Sequence, residues 1–172
     1  MERIKIDGIK LSGELTSVTF RNLSDFPAHI SLFCRLLSEN HVNLLFFSTT
    51  RRGKNNQASC CVSVEDRVLV NELIDSDPNL TSNAEFISPV GLVSIFPHRS
   101  SLKIFGLILS VFSRERLPLY GLASSISTLT CITDYARLDQ AVTAIQEYID
   151  VPIDQSRLKP EIHVKQSQDI RT

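Results

Sequence analysis

The chain has 172 residues, 42% hydrophobic and 22% charged, enough for one medium domain or two small ones, and a mainly disordered chain is excluded. Its formal net charge of −1, from 18 Lys+Arg against 19 Asp+Glu, supplies no global field to draw in nucleic acid or anionic lipid. No apolar run approaches the roughly 20 residues that cross a bilayer, and the charged, alternating start Met1–Asp7 is neither a signal nor a transit peptide. The expectation is a soluble cytoplasmic protein with no membrane or nucleic-acid partner.

In chain order, residues 15–22 alternate and are rich in β-formers, so they read as a strand. From Pro27 the period changes: Ile30, Phe33, Cys34 and Leu37 form one apolar helix face, and Pro27 suits the first turn, where its missing N–H costs nothing. Residues 42–50 read as a second strand, the polar segment 51–57 as a hairpin tip, and residues 58–64 as the return strand. Glu65 or Asp66 opens a short helix carrying Leu69, Val70, Leu73 and Ile74. Residues 75–83 read as a loop and 84–88 as a fourth strand.

The pattern then starts again. Val90–Phe96 reads as a strand, and Phe105, Ile108, Leu109 and Phe112 repeat the first helix face at an offset of 75. Leu117–Tyr120 answers Val42–Leu45 at the same offset. Beyond the hairpin the offset reads as 69, pairing Val62 with Cys131 and Leu69 with Leu138, so the second hairpin is six residues shorter. Leu138, Ala141, Val142, Ile145, Tyr148 and Ile149 make the last helix face. The unit is β-α-β-β-α-β written twice, an α+β fold of two ferredoxin-like modules with helices on one face of an antiparallel sheet. An open sheet edge on each module predicts a continuous eight-stranded sheet built from both. Two segments compete to complete the second module, Ile4–Ile9 and Glu161–Lys165, and the pattern leaves both open. The expected division is an N-terminal strand in 1–14, a first module in 15–88, a second in 89–150 and a tail in 151–172.

Little here carries covalent chemistry. Cys34, Cys60, Cys61 and Cys131 form no Cys-x-x-Cys and sit in apolar segments, as reduced core thiols do. His29, His41, His98 and His163 have no ligand spacing, so no metal is expected, and six glycines build no phosphate cradle, so no cofactor is expected. No nucleophile stands beside a base, which argues against an enzyme. The three cations of Arg51-Arg52-Gly53-Lys54 fall short of a nucleic-acid face and read as a solvated tip.

The ordered motifs resemble the tandem ACT domains that form the regulatory half of aspartokinases, over about residues 2–150. The resemblance is carried by Val90-Gly-Leu-Val-Ser-Ile-Phe96, by Ser124 to Val142 with its Asp134-Tyr-Ala-Arg-Leu138 lead into a Leu-x-x-Ala-Val helix, by Asp25-Phe26-Pro27-Ala28 after the first strand, and by Val42-Asn43. It implies a non-catalytic allosteric sensor: a small amino acid held where modules meet across a homodimer, with a partner enzyme as the possible recipient of the signal. The matched binding positions are Asp25, Phe26, Pro27, Ala28 and His29 in the turn, and Ser48, Thr49 and Thr50 on the second strand. A helix N-terminus there offers N–H groups to a carboxylate, and Asp25 offers a carboxylate to an ammonium. Asp25 is equally suited to cap the helix, and Thr49 and Thr50 are also ordinary strand residues.

The departures from the family pattern are specific. Ala28 replaces the glycine that lets backbone approach a ligand. Leu45 and Arg51 stand where lysine-sensing members resemble one another in carrying acidic residues, which argues against lysine. The second module reads Phe96-Pro97-His98-Arg99-Ser100 and lacks the Pro-Gly turn, so no ligand is expected there. The rival reading is a degenerate ACT structural or interaction module without a ligand.

Overall fold

A computed structural model describes residues 3–52, 55–96 and 102–150. The expected tail 151–172, with the alternative strand Glu161–Lys165, lies outside the described residues, as do Gly53, Lys54 and 97–101. The described chain divides into two compact units: an inserted unit of residues 16–88, and a split unit assembled from the segment before it and residues 89–150.

In the inserted unit, β3 (Leu15–Arg21) leads to α1 (Phe26–Glu39), the hairpin β4 (Phe46–Arg52) and β5 (Asn55–Ser63), a 3-10 turn at Val64–Asp66, α2 (Arg67–Asp75), the short α3 (Pro78–Thr81) and β6 (Ala84–Phe96). The strand order β4-β5-β3-β6 is that of a ferredoxin-like module. Alternate residues of β3 and β5 (Val18, Phe20, Ala58, Cys60 and Val62) meet Ile30, Phe33 and Leu37 of α1 and Val70 and Ile74 of α2 in one core. Phe20 and Phe33 pack edge-to-face with centroids 4.8 Å apart.

The split unit repeats the plan with β6, α4 (Leu102–Arg114), β7 (Gly121–Ser124), β8 (Leu129–Asp134), a 3-10 turn at Tyr135–Arg137, α5 (Leu138–Gln146) and β9 (Ile149–Asp150). The N-terminal segment completes it. Strand β2 (Gly8–Leu11) pairs antiparallel with β6, Gly8 opposite Phe96, and β1 (Ile4–Lys5) pairs parallel with β9, Ile4 opposite Ile149. Ile6 and Ile9 are buried there with Ile104, Ile108, Cys131 and Ile145. Arg3 ties the same join, its guanidinium 3.2 Å from both Asp150 Oδ1 and the Glu147 carbonyl.

Several expectations from sequence need correcting. Residues 84–88 and 90–96 are one strand, β6, which runs through Pro89, and the larger sheet has seven strands rather than eight, with β1 and β9 as a separate pair. The strands placed at Val42 and Leu117 start four residues later, because each helix ends in a Schellman cap. The Val42 N–H reaches the Leu37 carbonyl and the Leu117 N–H the Phe112 carbonyl, both at 2.9 Å, while His41 and Arg116 turn left-handed at φ 58° and 50°. The loop expected at 75–83 contains α3, because the Asp77 carboxylate caps it by accepting from the Asn79 and Leu80 N–H groups at 2.9 and 3.1 Å. The expected tip 51–57 is mostly strand, with Arg51 opposite Asn56. On α4 the buried residues are Ile104, Ile108, Val111 and Phe112, whereas Leu109 is 47% exposed and Phe105 half-buried. Apolar residues cover more than half of this helix's circumference, leaving one stripe of Lys103, Gly106, Ser110, Ser113 and Arg114, so the spacing offered two overlapping faces.

The repeat offset also changes. Phe46 pairs with Cys61 and Gly121 with Ile132, and the turn at 64–66 and helix at 67–75 recur at 135–137 and 138–146. Past the hairpin the offset is therefore 71, not 69. In the strand the two-residue error kept side chains on their correct face, because the strand period is two; in the helix it matched Leu138 to Leu69, where the structure matches it to Arg67.

Candidate functional site

The turn that opens α1 follows β3 in the inserted unit. Asn22 is left-handed at φ 56°, a conformation that Asn tolerates, and it redirects the chain out of the sheet. Phe26 packs half-buried against the core, and Pro27 supplies a preset φ in the first turn. The His29 N–H is bonded to the Asp25 carbonyl at 3.0 Å. The N–H groups of Phe26 and Ala28, inside that first turn, have no intrahelical carbonyl to reach. His29 Nδ1 lies 2.7 Å from the same Asp25 carbonyl, so Nδ1 carries the proton and donates.

Asp25 occupies the N-cap position, yet its side chain makes no capping hydrogen bond, and it is exposed. The exposed carboxylate thus stands one residue before first-turn donors that the helix itself leaves without a carbonyl. Together they offer one negative group and the positive end of a 14-residue helix. That is the complement of a zwitterion.

The strand residues divide. Cross-strand partners share a face of the sheet. Thr49 is opposite Ala58, a residue of the core, so it stands on the helix-bearing face and is exposed. Ser48 and Thr50 are opposite Ser59 and Gln57, on the reverse face, where Ser59 Oγ lies 3.1 Å from Thr19 Oγ1 and 3.2 Å from Gln57 Nε2. Of the eight candidate positions, Asp25, Phe26, Pro27, Ala28 and His29 therefore form one continuous turn, Thr49 shares the helix side, and Ser48 and Thr50 do not.

Sequence reading missed Asn56. Its side chain accepts from the Leu23 N–H and donates to the Leu23 carbonyl, each at 2.9 Å, and its backbone carbonyl accepts from the Asn22 N–H at 3.0 Å. Asn56 lies opposite Arg51 on β4, so the hairpin end and the turn before α1 meet at this residue. The only sequence signal was an Asn-Asn step, indistinguishable from turn chemistry.

The thiols have no part in the site. All four cysteines are free, and burial pushes Cys61 and Cys131 up to about 12 and Cys60 higher still. Among the described residues no group of three His, Cys, Asp or Glu side chains is arranged to hold a metal, and no helix is long and apolar enough to cross a membrane.

No protein-family model matches the chain, and no curated protein matches it by sequence. Solved structures do match. The ligand-free regulatory subunit of aspartate kinase from Thermus thermophilus superposes with a TM-score of 0.72 at 14% identity, covering 84% of this chain and 99% of that one. The chain has the fold of aspartate kinase regulatory domains. A putative C-terminal regulatory domain of aspartate kinase from Porphyromonas gingivalis matches with a TM-score of 0.63 at 5% identity, over 83% of this chain and 96% of that one. Aspartokinase III of E. coli, in its T-state complex with lysine and aspartate, matches with a TM-score of 0.65 at 13% identity, covering 86% of this chain and 34% of that enzyme. The aspartate kinase regulatory fold is thus spanned nearly end to end by residues of this chain, at identities that leave side-chain chemistry to be argued from its own site.

Proposed function

We propose that the chain is a non-catalytic regulatory module that binds a small amino acid at the turn opening α1 and passes its occupancy to a partner enzyme. The observation that carries this reading is the Asp25 carboxylate, unused by the helix it precedes, beside the first-turn N–H groups of Phe26 and Ala28. The amino acid's ammonium group sits on Asp25 and its carboxylate on the N–H groups, with Pro27 and His29 shaping the turn and Thr49 on the same side. Ser48 and Thr50, on the reverse face, belong to the site only where a second copy meets the strand, and an isologous homodimer is part of the proposal. Four free thiols fit a reducing compartment such as the cytoplasm. Binding acts by population shift, favouring the arrangement for which the ligand has higher affinity.

A thermal-shift screen against the twenty amino acids at millimolar concentration tests this. A ligand held only by the folded state adds RT ln(1 + [L]/Kd), about 2.7 kcal/mol at a hundred times Kd. Asp25→Ala abolishes the shift and leaves the dimer intact. A wild-type chain that shifts with none of the twenty is instead a structural module without a ligand, and a monomer by light scattering removes the dimer.

A further inference from the structure

The two copies differ most at their hairpins. In the split unit β7 has four residues and β8 six, and the tip closes locally, the Ser125 N–H bonding the Thr128 carbonyl at 2.8 Å. In the inserted unit β4 has seven residues and β5 nine. The added length carries Asn56 to the turn before α1, where its side chain grips both backbone groups of Leu23 and its carbonyl holds Asn22. The position 71 residues later, Ser127, falls in the short tip of β7–β8, outside both strands.

We infer that Asn56 is a positioning residue that couples the β4–β5 hairpin to the turn opening α1, so that strand and turn adopt one arrangement together. Two side-chain hydrogen bonds to a single residue's N–H and C=O fix the orientation of that peptide segment as a pair of points, where one bond would leave it free to swivel. Asn22 is already left-handed at φ 56°, so the turn is a bent segment held by its neighbours rather than by its own helix. Releasing Asn56 lets Asn22–Ala28 leave the arrangement that presents the first-turn donors. In its ligand arm the inference rests on the amino-acid reading above; in its conformational arm it stands alone.

The test uses Asn56→Ala in the full chain, with Thr19→Val as a control that removes a side-chain bond from the same sheet, 3.1 Å to Ser59, without touching the turn. Amide exchange at Asn22 and His29, whose acceptors in the wild type are backbone carbonyls, rises about tenfold in Asn56→Ala and not in Thr19→Val. Asn56→Asp, which keeps the acceptor for the Leu23 N–H and loses the donor, falls between. Whichever of the twenty free amino acids shifts the wild type binds Asn56→Ala about tenfold more weakly, since apparent affinity scales with the competent fraction. Exchange at Asn22 and His29 unchanged in Asn56→Ala, or raised as much by Thr19→Val, overturns the coupling. Should no amino acid shift the wild type while exchange still rises in Asn56→Ala, the coupling stands and the amino-acid reading falls.

Discussion

The paired Schellman caps make a quantitative prediction about both units. His41 and Arg116, 75 residues apart, close α1 and α4 with the same two hydrogen bonds and hold φ of 58° and 50°. A residue with a Cβ gives up about 1–2 kcal/mol in that left-handed region. Replacing it by glycine removes the clash but returns about 0.5–1 kcal/mol of chain entropy to the unfolded state. His41→Gly and Arg116→Gly should therefore each stabilise by about 0.5–1 kcal/mol. Both side chains are exposed, and what Arg116 gives the fold, its carbonyl accepting from Arg137 Nη1 at 2.7 Å, is backbone and survives the change. Differential scanning calorimetry reads the result. The gain raises Tm by about 1–4 °C if the chain melts as one unit, and by more if the roughly 75-residue units melt separately, in which case each variant moves its own transition. Asn22→Gly serves as the internal standard, with a smaller gain, because Asn already tolerates the left-handed region. A Tm that stays put or falls for both variants would refute the strain assignment.

The remaining predictions are shorter. If the proposed function holds, Asp25→Ala removes the amino-acid-induced thermal shift and leaves the oligomeric state read by light scattering unchanged. Asn56→Ala raises exchange at His29, as set out above. Gly91→Val drives a side chain into Leu138, whose Cδ1 lies 2.5 Å from where a Cβ would stand, and lowers stability by about 1–3 kcal/mol in urea titration. A thiol titrated with an aromatic disulfide at pH 8 reacts first at half-exposed Cys34 and slowly at Cys61 and Cys131. Since burial raises those last two from 9.0 to about 12 in the folded state, their stabilising contribution is intact below pH 9 and is lost as pH climbs from 9 towards 12, a fall that urea midpoints across that range detect.

The two-module plan was legible because the pattern that encodes it is short-range and repeated. Ile30, Phe33 and Leu37 had to share a helix face, and their counterparts stand 75 residues on. Where sequence reading failed, a local device overrode a correct apolar pattern. Val42 and Leu117 look like strand starts because they are buried, but each is buried as the apolar contact of a helix cap. Pro89 looks like a break between two strands, yet β6 runs through it, because a missing N–H matters only where a ladder needs it. On α4, Phe105 and Leu109 obeyed the same spacing as Ile104, Ile108 and Val111, and periodicity cannot choose between two apolar faces of one helix.

The candidate site was legible in its turn and illegible in its support, and the reason is the same in both cases. Asp-Phe-Pro-Ala announces a helix start by chemistry carried within four residues, and the structure adds only that Asp25 leaves the capping role unfilled. Asn56 lies 33 residues from Leu23, and nothing in either neighbourhood states that they meet. What brings them together is strand length. The offset between copies falls from 75 to 71 across the hairpin, and those four residues are what separate a hairpin that closes locally at Ser125–Thr128 from one whose return strand carries Asn56 to the turn before α1. The offset of 69 read from sequence hid this: it overstated the length difference and paired Cys131 with Val62 instead of Cys60. The matching caps at His41 and Arg116 mark the common plan, and the longer hairpin is one place where the inserted unit departs from it, carrying Asn56 to the turn before α1.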